Sequence, residues 1–250
     1  MEYQIEEDVK EFIGKLPTLV PNPPTAHLIM LAVRSRKARE IMKIKVKDLV
    51  VEREIIRPIQ DWRDRYFNSV SNLATLQHLG RYNVKTNLVP PQAMGIFGTL
   101  SPRNVLTANA ELMKDNITFL YQRDESSLME IAKVPSRFFG MLHRHKDRST
   151  NFVTLDLDNN DESLMKEILN KASVVPVWMV TETSRGYHII LDISKPVDAR
   201  IFYGEEALIQ KLGLEYTKKG LEIQKDSQEP IPGTFYPSKD KPKHFVRILQ

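Results

Sequence analysis

The chain contains no cysteine, so disulfides and thiolate metal sites are excluded, and any metal must be held by oxygen or imidazole. It also has no apolar run approaching the roughly 18 to 20 residues that span a bilayer, so no membrane partner is expected. The N-terminal stretch MEYQIEEDVKEF is acidic and amphipathic, unlike a signal peptide. Internal repeats and low-complexity segments are missing as well. These absences point to an intracellular, cytoplasmic protein.

What is present is ordinary in bulk and specific in detail. With 250 residues, 41% hydrophobic and 27% charged, the chain is long enough for one large domain or two small ones around a substantial core. The net charge is +4, a mild excess compatible with nucleic acid without requiring it. Its distribution is uneven. Residues 34 to 65 carry eleven Lys and Arg against six Asp and Glu. Residues 137 to 148, RFFGMLHRHKDR, carry four against one, and so do residues 237 to 250.

Along the chain, a short N-terminal helix precedes the proline-rich connector LPTLVPNPPTAH. HLIMLAV, 27 to 33, reads as a buried strand. Ile59, Trp62, Tyr66, Val70, Leu73 and Leu76 recur at helical spacing, which places a helix over 59 to 79 with its aromatics in the core. AMGIFGTLSPRNV, 93 to 105, reads as a strand broken at Ser-Pro, with Thr107 or Asn109 capping the helix that follows. A further helix near 126 to 134 leads through Pro135 into the basic stretch. In the last hundred residues a strand over 151 to 157 precedes a helix near 161 to 172. The strand runs VVPVWMVTET and GYHIILDI come next, joined by the turn SRG. A connecting helix near 198 to 212 and strands near 220 to 225 and 244 to 249 complete an α+β arrangement: an antiparallel sheet backed by helices.

Three groups of residues carry chemistry. Asp156 and Asp158, two apart at the end of an apolar strand, share one face of a sheet. Unpaired, they would repel, and a divalent cation with hard oxygen preference, Mg²⁺ or Mn²⁺, relieves that repulsion. Ser184, Arg185 and the turn amides, with His188 at the start of the next strand, form a plausible phosphate cradle. The structural alternative is a hairpin whose Gly186 supplies a positive φ and whose histidine belongs to the core. Glu222 sits mid-strand between Leu221 and Ile223, where a carboxylate needs a partner, and Asp226 follows four residues on. Beyond it come IPGTFYPSK and a basic strand.

In this order, the Asp-x-Asp strand, the helix, the hairpin with its small polar residue and histidine, the acidic strand and the Pro-Gly turn with a nearby lysine resemble the catalytic core of the archaeo-eukaryotic primase superfamily. The resemblance covers about residues 150 to 248, and IFGTLSPRN adds a fainter match further upstream. It implies a primase-polymerase fold: residues 1–25 as helix and connector, 26–148 as an N-terminal α/β part, and 149–250 as an RRM-like metal- and nucleotide-binding part. It further implies a template-directed nucleotidyltransferase, a DNA primase or primer-extending polymerase with a two-metal Mg²⁺ or Mn²⁺ site. Asp156, Asp158 and Glu222, with Asp226 as the alternative third acid, match the metal ligands. Ser184, Arg185, His188 and Lys239 match the nucleotide-binding positions. Arg103, Arg144, Lys146, Arg148, Lys243 and Arg247 are the candidate contacts to the nucleic-acid backbone. The implied partners are single-stranded or primer-template nucleic acid, nucleoside triphosphates and a replication accessory protein. Two positions depart from the family pattern: Gly186 stands two before His188 where the family has serine, and Tyr236 stands where many members carry histidine. A primase-like binding module without catalysis and a metal-dependent nuclease are the competing readings.

Overall fold

The computed structural model describes residues 4–43, 47–80, 82–84, 87–173, 175–194, 220–225, 228–235 and 245–250. The expected connecting helix near 198 to 212 lies outside the described residues, as do Asp226, Tyr236, Lys239 and Lys243. The described residues form an α+β architecture with two main antiparallel sheets.

The first sheet is built on β1 (Thr25–Val33), whose nine residues are all buried. It is followed by helix α2 (Ser35–Met42) and sandwiched between β2 (Leu49–Ile56) and β5 (Met94–Thr99), with short β6 (Arg103–Asn104) pairing its start. Strands β3 (Asn83–Val84) and β4 (Asn87–Leu88) pair with each other in a separate two-stranded sheet. An unbroken apolar strand such as β1 needs cover on both faces, and it has it. Ile29, Leu31 and Val33 pack with α1 (Glu6–Lys15) and α3 (Trp62–Leu79). Leu28, Met30 and Ala32 pack on α4 (Val105–Gln122) and α6 (Val134–Arg144). In α3, Trp62, Tyr66, Val70 and Leu73 are buried as their spacing implies. Ile59, however, precedes the helix, and both it and Leu76 are exposed.

Two boundaries move from their expected places. The helix expected to be capped by Thr107 or Asn109 begins earlier, because the Asn104 side chain accepts a hydrogen bond from the Thr107 backbone N–H at 2.9 Å. The basic stretch after Pro135 is itself helical. Proline is tolerated in the first turn of α6, and Phe139, Met141 and Leu142 bury its inner face.

The second sheet has the order β10-β7-β9-β8-β12, from Leu221–Lys225, Phe152–Leu157, Tyr187–Asp192, Val177–Glu182 and Arg247–Ile248. Helix α7 (Glu162–Ala172) starts on Asp161, whose carboxylate accepts from the Ser163 and Leu164 N–H groups. Leu164, Met165 and Ile168 cover Val153, Leu155, Leu157, Ile189, Leu191, Leu221 and Ile223 on one face of this sheet. The other face sends Phe152, Met179 and Ile190 into the core shared with α1, α3 and the first sheet. The sheets are also joined by the chain itself: β11 (Gln228–Pro230) leaves the end of the second sheet and pairs with β5 in the first.

Candidate metal and nucleotide site

Strand β7 carries hydrophobic residues at 153, 155 and 157 toward α7, so Thr154 and Asp156 face the other way. Directly opposite residues in an antiparallel pair share a face. Asp156 is directly opposite Glu222 on one side and His188 on the other. The three motif residues therefore lie in one row across three adjacent strands. Asp158 stands just past β7, where its backbone N–H extends the ladder to the Gly220 carbonyl at 2.9 Å.

The row faces the first sheet, and a residue not singled out from the sequence meets it there. Glu229 on β11 is 2% exposed. Its carboxylate accepts from the Thr154 hydroxyl at 2.6 Å and from the His188 Nδ1–H at 2.7 Å. The other ring nitrogen, Nε2, lies 3.3 Å from Asp156 Oδ1. Asp156 Oδ2 accepts from the Gln224 amide at 2.8 Å. Arg185, on the hairpin, pairs with Asp158. Every carboxylate of the site except Glu222 is thus met by a donor from the protein. Glu222 is exposed and has no cationic partner among the described residues.

These contacts fix the charge states. Burial alone would lower the His188 pKa, but the Glu229 charge and the hydrogen bonds to Asp156 and Glu229 raise it to about 10, so the ring is an imidazolium at neutral pH. Burial pushes the Asp156 carboxyl up. The hydrogen bond from His188, with the charges of His188, Arg185 and Arg34, more than reverses this and holds it below the usual carboxylate range. Arg34, just past the end of β1, acts on Asp156 only through its charge; its side chain contacts Asp48 at 3.5 Å and the Phe97 ring.

The hairpin is placed by close approach rather than by φ. Gly186 does not have a positive φ, contrary to the simple turn reading. A Cβ there would stand 1.7 Å from the Leu157 carbonyl oxygen, so only glycine lets β9 begin beside the end of β7. Thr183 N–H donates to the Gly186 carbonyl at 2.8 Å, and the Arg185 N–H is taken up by the Thr183 hydroxyl at 3.3 Å. Ser184 is buried, so the expected cradle of free hydroxyl and free amides reduces to the Arg185 guanidinium and His188.

Comparison with family models, with curated proteins and with solved structures returned no match.

Other expected contacts are dispersed. Arg103 is wholly buried and donates to the His143 carbonyl at 3.0 Å, which pins β6 to α6 and removes it as a nucleic-acid contact. Arg144 is exposed and paired with Glu111 at 3.1 Å. Lys146 donates to Asn151 at 2.8 Å, at the opposite end of β7 from Asp156, and Arg148 is exposed nearby. Arg247 lies on the far edge strand of the second sheet, held by Asp8 at 2.9 Å. The Pro-Gly turn packs against α1: Ile5 N–H donates to the Gly233 carbonyl at 2.8 Å, and a Cβ on Gly233 would stand 2.3 Å from the Ile5 oxygen. Thr154 and Gln224, each two residues from an acid on the same strand, were legible by the alternation rule. Glu229 and Arg34 carried no such signal.

The donor set of Asp156, Asp158 and Glu222 is chemically that of a hard divalent cation, and two acids directly opposite each other on neighbouring strands are destabilising without one. Among the described residues, no group of three or more His, Asp or Glu side chains is arranged to hold a metal as they stand. Loading the site would require Asp156 and Asp158 to exchange His188 and Arg185 for the ion.

Proposed function

We propose that this site performs metal-dependent nucleotidyl transfer of the primase-polymerase type, adding nucleotides from nucleoside triphosphates to a strand paired with a template. The observation that carries the reading is the row Glu222–Asp156–His188, two carboxylates and an imidazolium directly opposite one another on three adjacent strands. Asp158 and Arg185 flank it. Asp156, Asp158 and Glu222 would hold Mg²⁺ or Mn²⁺, with Asp226 the alternative third ligand. When bound, such ions supply charge neutralisation and a more acidic hydroxyl for in-line displacement.

The chain's own residues supply positioning. Glu229 and Thr154 hold the His188 ring by its Nδ1 side and direct Nε2 into the site. Without ligands, the imidazolium and the Arg185 guanidinium neutralise Asp156 and Asp158. When the carboxylates turn to a cation, both positive groups become donors for a triphosphate, so ligand and metal binding is an exchange of ion pairs with little net change in buried charge. Arg34 adds positive potential at the same place. Positioning and electrostatic stabilisation of this kind are most of what phosphoryl transfer asks of a protein.

The deciding experiment incubates the chain with labelled primer-template, Mg²⁺ or Mn²⁺, and all eight nucleoside triphosphates. Extension supports the proposal, whereas shortening of the strand only identifies a nuclease. A second reading, a primase-like nucleic-acid-binding module without catalysis, is favoured by the pairing of both aspartates with protein cations. Titration of Mn²⁺ separates the two, because that module would bind nucleic acid and not the ion.

A further inference from the structure

Helix α4 has two apolar faces, and among the described residues the core uses only one. Ala108 and Leu112 face inward. On the outer side Leu106, Met113, Ile117 and Leu120 are each more than half exposed, with exposed Ala110 between them. Positions 106, 110, 113, 117 and 120 are spaced four, three, four, three, the 3.5-residue period of a helix–helix seam. The seam is free of acids. Glu111 is drawn to Arg144 and His145, and Asp115 to Arg137, on neighbouring α6 and at its C-cap. Tyr121 at the end of α4, and Leu128 and Met129 on the following α5 (Glu125–Ala132), are exposed as well. These are seven large apolar side chains on two successive helices, each more than half exposed. Clustered apolar exposure on the order of several hundred Å² marks an interaction site on a monomer.

We infer that this seam is the contact of a homodimer in which two copies of α4 pack antiparallel. The sequence is self-complementary in that orientation. Leu106 meets Ile117 of the second copy, and Ala110 meets Met113 of the second copy, small against large, with the same pairs repeated across the two-fold axis. At the flanks Asn109 falls beside Asn116, and Lys114 beside Thr107, so no like charges meet. A parallel pair would instead set Ala110 against Ala110 and leave a gap. The seam lies on the face of the first sheet opposite to Glu229, so dimerisation leaves the His188 row open.

The test is sedimentation equilibrium of the full chain from about 1 to 200 µM. Wild type is expected to dimerise. Met113→Glu/Ile117→Glu is expected to weaken association at least about a hundredfold while keeping the thermal melt that wild type shows at dilutions where it is monomeric. A wild type that stays monomeric throughout overturns the proposal, as does dimerisation that survives the double substitution. Binding of monomeric wild type to anionic phospholipid vesicles would assign the seam to a lipid surface, and would overturn it too. The absence of native cysteine allows a register test. An oxidised mixture of Ala110→Cys and Met113→Cys chains should cross-link more completely than either variant alone. Equal yields would rule out the antiparallel register.

Discussion

His27 on β1 and His188 on β9 are both buried, and both have an oxygen facing each ring nitrogen, yet their surroundings drive them apart. A neutral ring donates to only one of its two oxygens, and an imidazolium donates to both. His27 lies 3.1 Å from the Thr99 carbonyl and 3.1 Å from the Pro17 carbonyl, with its ring against Trp62. Burial lowers its pKa to about 4, the carbonyl dipoles offset only part of this, and Arg103 and Arg63 push in the same direction as burial. His188 has carboxylates in the same two places and rises to about 10. Equal burial gives opposite charge states because a full negative charge outweighs desolvation and a peptide dipole does not. The first sheet therefore reads as an apolar frame with a neutral histidine inside it. The second carries a charged cluster on the face that meets the frame, which is where ion chemistry can occur.

The strongest break of this contrast is Asp156→Ala, expected to lower the proposed metal-dependent nucleotide incorporation by at least about a thousandfold, while His27→Gln stays within about tenfold. Equal losses would mean that the row is no more catalytic than the frame. Next comes Glu229→Ala, which leaves the His188 imidazolium buried without its main partner. A loss of about 3 kcal/mol is expected, roughly a 6 to 12 °C fall in Tm by calorimetry. Glu229→Gln should lose less, and identical losses would exclude the carboxylate charge as the reason.

The pH dependence sharpens the pair, measured as urea midpoints in EDTA. The raised His188 pKa contributes stability that is full below about 6.5 and is lost as pH rises toward about 10. The lowered His27 pKa contributes stability that is full above about 6.5 and is lost as pH falls toward about 4. His188→Gln should flatten the alkaline arm and His27→Gln the acid arm; the reverse assignment would overturn the comparison.

The smallest effect compares two glycines. Gly186→Ala meets the Leu157 carbonyl and should lower the melting temperature, whereas Gly140→Ala on α6 meets nothing within 4 Å and should raise it slightly. A neutral Gly186→Ala would show that β9 need not start so close to β7.

Much of the second sheet was legible because short-range patterns specify it. The alternation through Leu155, Asp156 and Leu157 sets a strand and its faces, and Asp161 stops the chain before α7 with a side-chain cap. In the basic stretch 137 to 148, the residues up to Arg144 belong to α6, whose inner face is Phe139, Met141 and Leu142, while Arg144 and Arg148 stay exposed. Arg103 illustrates the limit: in sequence it is one more cation, and only β6 pairing at the start of β1 buries it. Glu229 was out of reach for a related reason. It precedes a proline on a three-residue strand that pairs with β5, more than a hundred positions earlier.

By itself the sequence determined the apolar strand β1, the strand-helix-hairpin order of the second sheet, and the acids and histidine at its strand ends. These follow from period-two and helical patterns over a few neighbouring residues. The tertiary structure alone decided which of those residues share a row, that Glu229 joins them, and that Arg103 is buried away from them. Register and sheet-to-sheet contact depend on pairings between distant segments, and no local pattern carries that information.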